Sequence, residues 1–82
     1  MAEWERVALF ELIALARRDS RQAERIASAL DRYERDSLGD LKKLSGYASR
    51  WRLRVGDWRV IFDRDGSAVT VVRLSNRRDA YE

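Results

Sequence analysis

Three arginines flank a Gly-Asp turn in the segment "WRLRVGDWRVIF", residues 51–62, and their spacing suggests a binding site. The arginine side chain is a planar fork of N–H donors that can hold a phosphate through two parallel hydrogen bonds. If Gly56 and Asp57 form a two-residue hairpin loop, Arg54 lies directly opposite Arg59, and Arg52 lies further along the same face. Like charges directly opposite each other destabilise a strand pair, so stability alone does not favour this pattern. The spacing therefore predicts an anion site, and a phosphodiester is the obvious ligand.

A simpler interpretation applies to each arginine taken singly. Its aliphatic stem would cover the sheet while its guanidinium stays in water, and an arginine-rich composition can also reflect codon bias. Three converging arginines favour the anion site over this interpretation. We expect Ile61, Val72 and Leu74 to share the same outer face, where apolar side chains could contact a base or a partner protein.

The second half of the chain carries the positive charge. Residues 1–41 contain seven arginines and nine acidic residues, a net charge of −2, whereas residues 42–82 contain ten Lys or Arg and five acidic residues, a net charge of +5. Fifteen of the seventeen cationic residues are arginine. This distribution favours an anionic partner such as nucleic acid or an acidic protein segment.

Length and composition exclude several classes of protein. The 82 residues are enough for one small domain, which we assign to residues 1–82. The chain has no histidine and no cysteine, so we expect no metal site, no disulfide and no cofactor. No apolar run approaches the roughly 20 residues that span a bilayer, and the first residues, "MAEWER", are acidic where a signal peptide would be basic. We therefore expect a cytoplasmic protein that does not bind membranes.

Periodicity in the first half predicts two helices joined by a tight turn near residues 18–20. The segment "VALFELIALA" is apolar on nearly all sides, so its helix must cover the second helix and the sheet, or else a neighbouring chain. Asp19 or Ser20 can cap the start of the second helix. One apolar stripe of this helix is expected to face the core, and it comprises Ala23, Ile26, Ala27, Leu30 and Tyr33.

The second half contains three strand signals, "WRLRV", "WRVIF" and "AVTVVRL", separated by the turns Gly56-Asp57 and Asp65-Gly66. These signals predict an antiparallel meander in which Val55 lies opposite Trp58 and Phe62 lies opposite Val69. Alternation then places the apolar side chains on one face and the arginines on the other. We predict an α+β fold, an N-terminal helical hairpin packed on a small twisted antiparallel sheet of three to four strands.

The segments "LKKLSG", "WRLRVGDWRVIFD" and "RLSNRRDAY" resemble the RelE/ParE superfamily of toxins from type II toxin–antitoxin modules. The likeness runs from about Leu41 to Tyr81, with the helical hairpin in the expected order ahead of it. The resemblance implies a toxin that cuts messenger RNA on the ribosome. It also implies a cognate antitoxin that wraps a flexible segment over the toxin, and contact with operator DNA only through the toxin–antitoxin complex.

The resemblance also implies roles for individual residues. Cleavage by the substrate's own 2′-hydroxyl needs no metal, but the hydroxyl must be oriented and the charge on the phosphorane stabilised. The arginines suit the second task, and Tyr81 could orient or deprotonate the hydroxyl. The implied catalytic residues are Arg52, Arg54, Arg59, Arg77 and Tyr81. The expected RNA-binding residues are Lys42, Lys43, Arg50 and Arg78, and the expected antitoxin-binding residues are Ile61, Val72 and Leu74.

Two alternatives remain open at this point. RNA-cleaving relatives often carry lysine on the first hairpin strand and histidine where Asn76 stands here, so no proton donor for the leaving group is evident. A ParE-like toxin acting on DNA gyrase is therefore the alternative function, and a plain nucleic-acid-binding module is another. Relatives normally begin with a full strand before the first helix, whereas only six residues precede Val7 here. We therefore expect this strand to be short or absent. A second copy of the chain could then cover the exposed edge of the sheet.

Overall fold

The computed structural model describes residues 2–76, which form two helices and one five-stranded sheet. The strands lie in the order β1-β5-β4-β3-β2; β1 runs parallel to β5 and every other neighbouring pair is antiparallel. The elements are β1 (Glu3–Trp4), α1 (Arg6–Arg18), α2 (Ser20–Asp36), β2 (Asp40–Lys43), β3 (Arg50–Val55), β4 (Trp58–Asp65) and β5 (Ala68–Asn76).

The predicted α+β class and helical hairpin are confirmed, with five strands rather than three to four. The difference lies at the two sheet edges, where β1 has two residues and β2 has four. The short N-terminal strand was expected, but β2 was missed because its sequence "DLKK" has no strand-like alternation. Neither α1 nor α2 is long and apolar enough to cross a membrane.

The helical hairpin turns at Asp19, the one residue between the two helices. Its carboxylate accepts a hydrogen bond from the backbone N–H of Gln22 at 3.1 Å, which caps α2 as predicted. Four of the five residues of the predicted stripe are buried, but Ala27 is exposed. Within residues 2–76 both helices pack on one face of the sheet, and neither covers the opposite face.

The core lies between the helical hairpin and the inner face of the sheet. Phe62 of β4 is completely buried, and its ring centroid lies 5.1 Å from that of Tyr33 on α2. No polar or charged residue of the described chain is buried. The strand residues of the core are Leu53, Val55, Val60, Phe62, Val69, Val71 and Leu74.

The β3–β4 hairpin has the register that the sequence predicts. Val55 pairs with Trp58, and Arg54 lies directly opposite Arg59. Gly56 adopts a φ of 61°, the left-handed conformation that a two-residue turn requires and that glycine adopts without steric cost. The charged face and the apolar face therefore alternate along both strands as expected.

The β4–β5 pairing differs from the prediction in two ways. The turn lies at Gly66 and Ser67, so Asp65 pairs with Ala68, and Phe62 lies opposite Val71 rather than Val69. This shift of two residues preserves which face each side chain occupies. A β-bulge follows, in which Val72 has no partner on β4.

The bulge corrects the prediction for Leu74. One extra residue offsets the alternation of β5, so Leu74 lies opposite Val60 on the inner face and is only 1% exposed. The expectation that Leu74 belongs to the outer face and to an antitoxin-binding surface is therefore wrong. The backbone N–H of Leu74 donates to the Glu11 carboxylate of α1 at 2.9 Å. This bond gives a partner to a backbone donor of β5 that lies beyond the two residues paired with β1.

Candidate anion-binding face

The outer face of β3 and β4 gathers most of the sequence-predicted cations within the described residues. We call this surface the arginine face. Its register places Arg54 beside Arg59 and Arg50 beside Asp63, because side chains that share a face recur at every second position. It comprises Arg50, Arg52, Arg54, Arg59, Ile61 and Asp63.

Arg54 and Arg59 form the least neutralised part of the arginine face. Arg54 is exposed, and its Nε donates to the backbone carbonyl of Gly56 at 3.3 Å. Within residues 2–76, Arg59 makes no hydrogen bond or ion pair, and Arg54 bonds to no carboxylate. A pocket of about 210 Å³ at the hairpin tip is lined by both arginines together with Gly56, Asp57 and Trp58. The pair can therefore offer several N–H donors to one bound anion.

Arg52 is only partly neutralised. Its Nη2 lies 3.3 Å from a carboxylate oxygen of Asp40 on the neighbouring strand β2, and its side chain is 20% exposed. The Nε of Arg52 is buried and has no hydrogen-bond partner. Lys42 lies directly across from Arg52 on β2, so a second like-charged pair adjoins the first. Arg52 is therefore only partly neutralised, and a minor part of its side chain is accessible on the same surface.

Arg50 is held by Asp63 in a two-point ion pair. Its Nε and Nη2 donate to the two carboxylate oxygens of Asp63 at 2.7 and 2.9 Å. The guanidinium lowers the pKa of Asp63 below its ordinary value, because both hydrogen bonds favour the charged carboxylate. The ring of Tyr47 covers the guanidinium, with its centroid 4.6 Å from the central carbon. Arg50 is therefore already neutralised and is not a free phosphate ligand.

Some of the other predicted site residues lie on the outer face of the sheet and others do not. Lys42 shares the outer face, whereas Lys43 lies opposite Trp51 on the other face of the sheet, away from the arginines. Ile61 is partly buried on the arginine face, and Val72 is partly buried at the bulge. Arg77, Arg78 and Tyr81 lie outside the described residues.

Two contributors were missed from the sequence. The predicted register itself places Asp63 opposite Arg50, so this ion pair could have been found by extending the alternation two residues further. Tyr47 lies in the loop between β2 and β3, where no periodicity predicts its contact with Arg50. Within residues 2–76, no group of three or more acidic residues could hold a metal ion.

The fold of this chain is similar to the folds of solved toxin structures. The alignment with "YoeB/ParE toxin from Agrobacterium tumefaciens" covers 93% of this chain and 98% of that one, with a TM-score of 0.77 and 21% identity. The chain also resembles one in the RelB–RelE antitoxin–toxin complex from Methanococcus jannaschii. That alignment covers 94% of this chain and 92% of the other, with a TM-score of 0.76 and 18% identity. These similarities establish a shared fold.

Sequence comparison then gives the family. The model of the ParE toxin of type II toxin–antitoxin systems matches residues 2–81, so this chain belongs to that family, within the RelE/ParE superfamily. Over 43 residues it is 33% identical to Toxin RelE3 of Methanocaldococcus jannaschii, a match that spans 52% of this chain and about half, 49%, of that relative. The predicted superfamily is thus confirmed.

Proposed function

We propose that this toxin is an endoribonuclease that cleaves messenger RNA on the ribosome without a metal ion and thereby inhibits translation. The observation that carries the proposal is the pairing of Arg54 with Arg59, two cations directly opposite each other with no bonded carboxylate among the described residues. This arrangement costs stability unless an anion lies between the two groups. The backbone phosphate of RNA is an anion of the required size and charge.

In the proposed reaction the 2′-hydroxyl of the substrate attacks the adjacent phosphate and the bond from phosphorus to the 5′-oxygen breaks. The products are a 2′,3′-cyclic phosphate and a 5′-hydroxyl, whose oxygen takes up a proton from solvent. Arg54 and Arg59 stabilise the extra negative charge of the phosphorane, and the partly neutralised charge of Arg52 can add to this stabilisation. Tyr81, carried over from the family resemblance, orients or deprotonates the hydroxyl. Arg77 joins the catalytic set, and Lys42 and Arg78 bind the RNA backbone.

We further propose that a cognate antitoxin covers the arginine face. One structural relative is described as an antitoxin–toxin complex, which supports this kind of partner. Ile61 is partly buried on the arginine face and Val72 is partly buried at the bulge of β5, so a matching segment would offer carboxylates and apolar side chains together. Operator DNA is reached only through the complex, and the toxin acts in the cytoplasm, where its ribosomes are.

A second copy of the chain is a further proposed partner, because α1 exposes large apolar side chains. Val7, Phe10 and Ile13 are 58%, 63% and 40% exposed. Their exposure agrees with the expectation that this helix, apolar on nearly all sides, covers more than the core.

Cleavage of programmed ribosomes in the presence of a chelator tests the proposed reaction. A single 2′-deoxy nucleotide placed 5′ to the cleaved bond should abolish cleavage at that position and leave other positions intact, because the attacking group is missing. Cleavage that persists at the 2′-deoxy position would contradict the proposed chemistry.

A gyrase-directed toxin is the second candidate, favoured by the family description, which names ParE. A DNA supercoiling assay with purified gyrase separates the candidates. Inhibition of supercoiling, together with intact messages on programmed ribosomes, would establish this second function in place of the first.

A further inference from the structure

Tyr47 exposes an aromatic ring beside the arginine face, and the proposed catalytic set leaves this residue without a role. More than half of its surface, 53%, is accessible. The guanidinium of Arg50 covers one face of the ring at 4.6 Å. The opposite face is therefore the one that remains open to a ligand.

The ring of Tyr47 packs on an arginine that is itself held in place, and its loop is closed by backbone hydrogen bonds. Asp63 fixes the guanidinium of Arg50 through two hydrogen bonds of 2.7 and 2.9 Å. The loop that carries Tyr47 is closed by a 2.9 Å backbone bond from Leu44 to Arg50, and Arg64 donates to the carbonyl of Ser49 at 3.0 Å. A ring that is already ordered loses little conformational entropy when a ligand stacks on it.

The position of the ring relates it to the proposed phosphate site. Arg50 and Arg54 are four residues apart on the same face of β3, about 13 Å, a distance that a short single strand can span. An unpaired nucleobase has a π-face that stacks on tyrosine, and aromatic rings beside a cationic groove are how many proteins hold single strands. Because Asp63 neutralises Arg50, this end of the face suits an uncharged base better than a phosphate.

We propose that Tyr47, backed by Arg50 and Asp63, is a stacking platform for one unpaired base of the RNA. The inference rests on the proposed function and adds to it a subsite that binds the base, separate from the arginines that bind phosphate. The ring selects for single-stranded substrate, because a base within a duplex has no free face to offer.

Binding of two short single-stranded RNAs tests the platform. One carries the fluorescent base 2-aminopurine at a single position, and the other carries an abasic site there. The Tyr47→Leu variant should bind the base-containing RNA roughly 5- to 100-fold more weakly than the wild-type protein, the usual effect of losing one stacked base. The abasic RNA should bind the two proteins equally, and Tyr47→Trp should retain both the affinity and the quenching of 2-aminopurine fluorescence.

Leu38→Ala provides the control, because Leu38 is an exposed apolar residue between α2 and β2 that is not part of the arginine face, and its loss should change neither affinity. Equal weakening of both RNAs by Tyr47→Leu would show a structural role and overturn the inference. Unchanged affinity for the base-containing RNA would also overturn it while leaving the proposed function intact. Failure of the wild-type protein to bind either RNA would overturn the platform, and cleavage of messenger RNA on programmed ribosomes would then still show whether the proposed function holds.

Discussion

Arg54 of β3 lies directly opposite Arg59 of β4, with no carboxylate of residues 2–76 bonded to either side chain. The arginines of β3 are neutralised to different degrees along the strand. Arg50 is held by two hydrogen bonds to Asp63, and Arg52 has one longer contact with Asp40. Among the four arginines of the arginine face, Arg54 and Arg59 are thus the two without a bonded carboxylate within residues 2–76, and both line the pocket at the tip of the hairpin.

Removing one charge of this pair should not cost stability. We expect Arg54→Gln and Arg59→Gln each to leave the free energy of unfolding unchanged or to raise it by up to about 1 kcal/mol, because a like-charge cross-strand contact is relieved. Urea unfolding measures the effect, with Arg32→Gln on the exposed side of α2 as the control for loss of charge. A clear fall in the unfolding midpoint of either variant would show that the arginines are structural.

The ion pair between Arg50 and Asp63 predicts a pH dependence. Because the pKa of Asp63 is lowered in the folded protein, its stabilising effect is fully present above the ordinary value of 3.8 and is lost as the pH falls through the folded-state pKa. At neutral pH the wild-type protein should therefore be more stable than Asp63→Asn, and the difference should shrink below about pH 4. Urea unfolding at several pH values measures this difference in stability. If the difference stays constant at low pH, the ion pair between Arg50 and Asp63 is not its cause.

Gly39, between α2 and β2, should not tolerate a side chain. Its φ is +148°, and an added Cβ would lie 2.7 Å from Cδ1 of the buried Leu53. Gly39→Ala should destabilise the protein by more than about 1 kcal/mol. Gly46→Ala separates the effect of backbone strain from that of the contact with Leu53, because Gly46 has a φ of +86° but open space around it. Equal losses of thermal stability in both variants would show that the contact with Leu53 adds nothing.

Much of the fold could be predicted from the sequence because local periodicity encodes it. The register of β3 with β4 followed from one glycine turn and strict alternation, so the opposition of Arg54 and Arg59 was predicted correctly. The face of Leu74 was not, because a bulge adds one residue without any glycine or proline to mark it. The contact between Tyr47 and Arg50 also escaped prediction, since it depends on how an irregular loop folds back over a strand.

Tyr81, which lies outside the described residues, is the residue that we expect to orient or deprotonate the 2′-hydroxyl. Tyr81→Phe keeps the ring and removes the hydroxyl, so the variant should fold and bind antitoxin normally. Its cleavage rate should fall by roughly 10²- to 10⁴-fold, the usual contribution of a positioned acid or base. The wild-type rate should rise with pH up to the pKa of the phenol, and this dependence should be absent in the variant. Full cleavage by Tyr81→Phe would remove the tyrosine from the mechanism.

The cleavage rate of Arg54→Gln and Arg59→Gln on programmed ribosomes tests the central claim most directly, with Arg32→Gln as the control of equal charge. If the opposed arginines stabilise the phosphorane, each variant should lose about 10²-fold or more in the rate of the chemical step, as when one oxyanion donor is removed, while remaining folded. The control should cleave at the wild-type rate. Rates for both variants that match the control would contradict the account, because the pair would then have no part in the reaction.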